Sequence, residues 1–335
     1  MMLRTCLVLA CLTGIALGCG GTQSPQADDS GIDAGNVDAG NVDAGNVDAG
    51  TVDAGNMDAG TVDAGTIDAG TIDAGNMDAG TTDAGTLCTV TAARVSCSHR
   101  SLYVTLPLAL PRQVHFQTPE YAAPDGGRPT VIFFQGTGVS GEYAFAADKT
   151  ALFGQYDLAR TVKALLDQGY VVIAPEAQSN GTTAWQTNIP PTSFAWTGSA
   201  DDQLVKALFT EMTSGSFGPV DPKRLYAMGI SSGGYMTSRM AVSYPGKFRA
   251  LAVASASYAT CSSTCTIPTL PANHPPTLFL HGQLDPIVPI ATMLDYRDRL
   301  NAIGIEVRTV IDPNGGHAWL PSGPQDVTSW FGSHQ

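Results

Sequence analysis

Residues 225–234 read LYAMGISSGG, an apolar run that passes without a break into Gly229-x-Ser231-x-Gly233. Leu225, Tyr226, Ala227 and Met228 suit a buried strand, and glycines two residues either side of Ser231 suit a turn too tight for a Cβ. A strand-to-helix turn of that kind lifts the Ser231 hydroxyl above the sheet as a nucleophile and aims the Ser232 N–H at the group it attacks. Ser232 fits the nucleophile's place less well, because Ile230 stands where its upstream glycine would have to be. The same string alone also reads as a glycine-rich helix start packed on a sheet, so its meaning depends on its flanks.

Outward from this turn, apolar runs alternate with helical ones through 87–335. Strands are expected at 102–106, 114–116, 130–135 (TVIFFQ), 170–174 (YVVIA), 224–228, Ala250–Ala254, 277–280 and 306–311. Helices are expected at 157–168, where Leu158, Val162, Leu165 and Leu166 recur at helical spacing, and at 200–212 and 290–303. Continuous apolar strands alternating with amphipathic helices imply an α/β fold, a mostly parallel sheet with helices on both faces. In such sheets the chemistry gathers at the carboxyl ends of the strands.

Two of those ends follow the elbow. Asp285 lies just past the strand at 277–280, in His281-Gly282-Gln283-Leu284-Asp285. Asn314-Gly315-Gly316-His317-Ala318-Trp319 follows the last strand, and its two glycines leave His317 free to reach back toward Ser231. Ser231, Asp285, His317 is the chain order that this kind of elbow uses. His317 would take the serine proton and return it to the leaving group, while Asp285 would fix the imidazole's tautomer. Asp312 is a second candidate acid, on the same segment as the histidine. His281 reads as a packed histidine at a strand end, and His99, His115, His274 and His334 have no catalytic neighbour in sequence.

An oxyanion formed at Ser231 needs a second donor besides the Ser232 N–H, from the glycine-rich loop after the TVIFFQ strand. The loop reads Gln135-Gly136-Thr137-Gly138-Val139-Ser140-Gly141, and the N–H of Thr137 is the expected donor, with Gly138 one step away. Trp185, in a Gly/Ser/Thr-rich stretch, and Trp319 are the candidate substrate-binding side chains.

The net charge of −13 is unevenly placed: thirteen Asp and one Arg in 1–86 account for −12 of it. No basic cluster exists to neutralise phosphates, which excludes nucleic acid as a partner. Arg4 followed by the apolar run at 7–17 reads as an export signal over 1–18, too short to cross a bilayer. Ala16-Leu17-Gly18-Cys19 resembles a bacterial lipobox, so Cys19 is the expected lipidation site, with ordinary cleavage near 18–22 and free secretion as the alternative. Either end places the mature chain outside the cytoplasm, at a membrane facing the periplasm or exterior, or released.

Between the signal and the globular part, 31–85 is eleven copies of x-x-Asp-Ala-Gly. A period of five matches neither strand nor helix, and one small apolar residue per unit cannot build a core. The segment 19–86 is therefore read as a disordered linker, spanning about 40 Å as a Gly-rich coil. Its period does not match the nine-residue Gly/Asp repeat of calcium β-rolls.

Beyond Cys6, Cys11 and Cys19 the chain has Cys88, Cys97, Cys261 and Cys265, an even number suited to an oxidising compartment. Three pairings are open, and proximity favours Cys88 with Cys97 and Cys261 with Cys265. A zinc site from Cys261, Cys265 and His274 lacks a fourth ligand, so no metal is expected, and no cofactor either.

These residues resemble the α/β-hydrolase superfamily over nearly all of 100–335. Asp221-Pro222-Lys223-Arg224-Leu225-Tyr226, Gly229-x-Ser231-x-Gly233-Gly234-x-Met236 and Gly316-His317-Ala318-Trp319 are similar to the polyhydroxybutyrate depolymerase and feruloyl esterase group. That resemblance implies a catalytic domain over 87–335 that cleaves carboxylic esters, polymeric or aryl, through an acyl-enzyme on Ser231. Gly233-Gly234-Tyr235-Met236-Thr237 with Tyr244-Pro245 also resembles prolyl-oligopeptidase-type peptidases, which keeps a peptidase with the same triad as the alternative. Only about twenty residues separate the strands at Ala250–Ala254 and 277–280, where relatives often carry a lid, so an open cleft is expected.

Overall fold

Two short strands come first, Cys88–Val90 (β1) and Arg94–Cys97 (β2), an antiparallel pair in which a disulfide joins Cys88 to Cys97. The computed structural model describes residues 87–177, 185–186, 196–258 and 267–335. The expected signal at 1–18, the linker at 19–86 with Cys19, and the Cys261 and Cys265 pair lie outside the described residues. Arg100–Val104 (β3) and Arg112–Gln117 (β4) form a second antiparallel pair. After them come Arg128–Phe134 (β5), Ala146–Asp148 (β6), Gln155–Asp167 (α1) and Val171–Pro175 (β7). The second half holds Ala200–Ser214 (α2), Val220–Ile230 (β8), Ser232–Ser243 (α3), Ala250–Ala254 (β9) and Thr277–Gly282 (β10). Ile290–Ala302 (α4), Val307–Asp312 (β11) and Gly323–Ser333 (α5) complete it.

Eight strands make one sheet in the order β11-β10-β9-β8-β5-β7-β4-β3, while β1, β2 and β6 make a small separate one. Pairings from β11 to β7 are parallel, and β4 runs antiparallel to both β7 and β3. Side chains of β5 alternate between two cores, as the strand period requires. Val131 and Phe133 pack with Leu158, Val162 and Leu165 of α1 and with Val327 and Phe331 of α5. Ile132 and Phe134 face the other way, toward Leu204 and Leu208 of α2 and Met236 and Met240 of α3. Met293, Tyr296 and Leu300 of α4 cover Val253 and Phe279 beside Tyr235 of α3. The sheet thus has helices on both faces and is an α/β-hydrolase fold.

Local signals explain several boundaries. Helix α2 starts where the Ser199 hydroxyl accepts the Asp202 N–H at 3.1 Å, with Asp201 and Asp202 in the first turn against the helix dipole. It ends at Gly215, whose φ of 86° only glycine adopts without strain. Strand β8 begins four residues before the expected 224, because a register shift between Arg128 and Thr130 lets Arg128 pair with Val220. Helix α5 has no counterpart among the expected elements. Its start, Ser322-Gly323-Pro324, reads as loop, yet proline is well tolerated in a first helical turn, and Val327, Trp330 and Phe331 bury one face.

His274 is buried between α4 and the sheet, with Nδ1 2.8 Å from the Pro275 carbonyl and Nε2 2.7 Å from the Tyr296 hydroxyl. Burial pushes its pKa down to about 4, only partly opposed by the Pro275 carbonyl. Above the ordinary value near 6.5 neither the folded nor the unfolded chain protonates it. Between there and 4 only the unfolded chain takes up the proton, so stability falls with pH, by about 2 kcal/mol at pH 5. Chemical unfolding at pH 7 and 5 should show this loss in the wild type and a smaller one in His274→Gln. Parallel losses in the two proteins would remove His274 as the cause.

Candidate active site

At the carboxyl end of β8 the chain turns through Ser231 with φ 55° and ψ −124°, a conformation that costs a non-glycine residue about 1–3 kcal/mol. The turn survives because its surroundings fix it. The Ser231 N–H donates to the Ala254 carbonyl at 3.0 Å, and the Ser231 carbonyl accepts the Tyr235 N–H at 3.0 Å. A Cβ on Gly229 would lie 2.8 Å from the Phe134 carbonyl oxygen, and one on Gly233 2.5 Å from that of Gln135. Both glycines are thus required by backbone that passes directly overhead.

His317 Nδ1 lies 2.8 Å from Asp285 Oδ2. The other carboxylate oxygen accepts the N–H groups of Ile287 and Val288, each at 2.9 Å, so both oxygens are held. Burial alone would raise the Asp285 pKa, but the hydrogen bond and charge of His317 and those two N–H groups outweigh it and hold the carboxyl below its usual value. With Nδ1–H committed to an ionised carboxylate, Nε2 is left as the acceptor. Asp312 is not the histidine's partner; its carboxylate accepts the Asn314 N–H and backs Gly315. Gly282 permits this arrangement, since a Cβ there would strike the Gly315 and Gly316 carbonyls.

Elbow and histidine loop meet at the end of β9. Ala254 accepts the Ser231 N–H, and the next residue, Ser255, donates its hydroxyl to the Ala318 carbonyl at 3.0 Å and accepts the Ala318 N–H at 3.2 Å. Two adjacent residues therefore tether Ser231 and the loop bearing the imidazole. Among the described residues the Ser231 hydroxyl and His317 make no hydrogen bond to each other; such bonds are often long until substrate arrives. On the opposite side, a Cβ on Gly136 would lie 3.5 Å from the Ser231 Cβ, which brings the loop bearing Thr137 against Ser231. Neither the Thr137 nor the Ser232 N–H has a partner among the described residues.

The family model described as "Dienelactone hydrolase family" matches residues 150–330. The chain belongs to the dienelactone hydrolase family. It is 47% identical to the poly(3-hydroxyoctanoate) depolymerase of Pseudomonas fluorescens over 244 residues, 72% of this chain and 87% of that one. A crystal structure described as a thermostable esterase superposes with a TM-score of 0.50 at 18% identity, covering 70% of this chain and 62% of that one, which speaks to the fold alone. This dienelactone hydrolase family member is a serine carboxylic ester hydrolase.

Two sequence expectations need correction in this family member. Trp185 is fully buried, its Nε1–H donates to the Gln135 carbonyl at 2.9 Å, and its ring meets the edge of Phe134. Trp319 is buried too, with Nε1–H on Thr161 Oγ1 at 3.0 Å and its ring against Phe133. Each indole has found an acceptor inside the protein, so both back the site from within rather than line it. His281 is packed, as its sequence context suggested, with Nε2 3.0 Å from the Val288 carbonyl.

The sequence offered no sign of Glu176, at the carboxyl end of β7. Its Oε1 accepts the Gly141 N–H at 2.9 Å, contacts His115 Nε2 at 3.1 Å and accepts the Ser140 hydroxyl. Burial would raise its pKa, yet these partners, His115 first, keep it below the usual carboxylate value. Gln135 secures the other end of the same loop. With its amide oxygen toward the Ala177 N–H (2.7 Å) and its nitrogen toward the Pro175 carbonyl (2.9 Å), both ends of that amide are satisfied. The loop bearing Thr137 is thus fastened at both ends.

A misplaced oxyanion donor forfeits part of the roughly 3 kcal/mol such a donor supplies. Glu176→Gln should therefore lower kcat by about 10–100-fold with KM within about twofold, read on a soluble nitrophenyl ester. A lower melting temperature with kcat intact would leave Glu176 a structural residue only.

Proposed function

We propose that Ser231, His317 and Asp285 act as nucleophile, base and orienting acid in the hydrolysis of carboxylic esters, aliphatic polyesters of hydroxy acids among them. The observation that carries this is the 2.8 Å contact between His317 Nδ1 and Asp285, on a loop tied through Ser255 to the elbow. Ser231 Oγ attacks the ester carbonyl carbon as its proton passes to His317 Nε2, and the Ser232 and Thr137 N–H groups receive the oxyanion. Collapse of the tetrahedral species breaks the bond to the alcohol oxygen, which takes the proton from His317. Water then repeats the sequence on the acyl-enzyme and frees the acid. No metal or cofactor enters these steps.

Identity of 47% with a polyester depolymerase supports the polymeric substrate. The short link between β9 and β10 supports an uncovered cleft. Residues 1–18, Cys19 and the Asp-Ala-Gly repeat support an exported enzyme held by a lipid anchor at the cell envelope and spaced from the membrane. A panel of poly(3-hydroxyoctanoate) emulsion, nitrophenyl esters of graded length, a feruloyl ester and a prolyl anilide tests the reading. Polymer clearing and turnover of aliphatic esters are expected. Cleavage of the anilide in preference to every ester would replace it with a peptidase.

A further inference from the structure

Among the described residues three non-glycine residues have positive φ: Ser231, Ser255 and Phe153. The first two belong to the elbow and its tether. Phe153, at φ 59° and ψ 26°, lies far away in sequence, yet it meets the same site. Its ring stands at 80° to the His317 imidazole with centroids 5.9 Å apart. A bulky residue in this conformation is a genuine outlier, and the neighbours that hold it can be named. The Phe153 carbonyl accepts the Trp319 N–H at 2.9 Å, and a Cβ on Gly154 would lie 2.8 Å from the Trp319 nitrogen. The histidine loop and the strained segment therefore lock onto each other backbone to backbone.

Phe153 is half-buried, and Leu152 beside it is 70% exposed. The stretch Ala151-Leu152-Phe153-Gly154 carries no polar side chain. In acyl transfer the imidazole gives its proton to the departing alkoxide, so the alcohol part of the ester must lie next to His317. An apolar side chain already against that ring borders the alcohol rather than the acyl group.

We propose that Phe153, with Leu152 at its side, forms an apolar wall for the leaving alcohol and selects esters whose alcohol carries an alkyl branch beside the ester oxygen. The wall rests on the triad reading above and adds which half of the substrate is sorted, and by what. Polyesters of 3-hydroxy acids that carry an alkyl group on the hydroxyl-bearing carbon present such a branched alcohol at every linkage, and simple ethyl esters do not.

The test holds the acyl group constant as acetate and compares ethyl with 2-octyl esters in the wild type, Phe153→Gly and Phe153→Leu. Glycine accepts φ 59° without strain, so the first variant keeps the fold while losing the wall. The kcat/KM preference for the 2-octyl ester should fall about tenfold in Phe153→Gly and be largely retained in Phe153→Leu. Ser231 should still be labelled by a fluorophosphonate in all three, which separates loss of the wall from loss of the site. Equal losses on both esters, or an unchanged preference in Phe153→Gly with labelling intact, would overturn the wall alone. Failure of the wild type to label would overturn the triad and the wall together.

Discussion

Ser231→Gly is expected to abolish ester turnover and fluorophosphonate labelling while leaving the fold as stable as before or more so. The two effects have separate physical origins at one residue. Without the hydroxyl no acyl-enzyme can form, and loss of a catalytic serine lowers kcat by about 10⁵–10⁶-fold in enzymes of this type. The backbone at φ 55° and ψ −124° is strained for serine, and glycine adopts it freely. Relief of roughly 1 kcal/mol raises the melting temperature of a domain this size by about 2–4 °C. Nitrophenyl ester kinetics and a thermal melt on one preparation read both effects. Residual labelling would point to another nucleophile, Ser232 first. A clearly lowered melting temperature would mean that the elbow is not under strain.

Gly233→Ala should have the opposite character and prevent a stable fold. A Cβ there would collide with the Phe134 carbonyl and lie 2.5 Å from the Gln135 carbonyl oxygen. Phe134 closes β5 in register with Gly229 of β8, and the Gln135 carbonyl accepts the Trp185 Nε1–H, so this backbone cannot give way as a flexible side chain would. The cost should exceed about 4 kcal/mol, the range reached when rigid backbone is displaced in a core. Gly316→Ala is the control, because a Cβ at that position meets nothing within 4 Å. Its stability should stay within about 0.5 kcal/mol of the wild type. Chemical denaturation of both variants decides. A Gly233→Ala protein with wild-type stability would mean that the elbow does not pass beneath β5 as described.

The central sheet was legible because its strands are buried on both faces and read as unbroken apolar runs. Ala250–Ala254 was read to the residue, and α1 followed from Leu158, Val162, Leu165 and Leu166. Strands β1, β2 and β6 are three or four residues long, too short for any period to register. Helix α5 hid behind a start rich in Gly and Pro. In the site, the residues that each follow a strand end could be picked out by their order along the chain. Glu176 could not, since its partners His115, Ser140 and Gly141 lie 61, 36 and 35 positions away and only the folded sheet brings them together. Trp185 and Trp319 show the converse limit: a tryptophan in a glycine-rich loop reads the same whether its indole faces solvent or a buried acceptor.

The disulfide has a mechanical consequence. Residues 1–86 enter the domain at Leu87, one position before Cys88, and the S–S bond leads straight on to Cys97. Any pull arriving along that leader bypasses the weak ladder between β1 and β2 and loads Cys97, whose N–H is anchored on the Phe145 carbonyl at 2.7 Å. Under oxidising conditions the hairpin cannot be peeled open from its leading end. Reduction would let those ten residues unzip and add about 30 Å of chain ahead of the domain, at the rise of an extended chain.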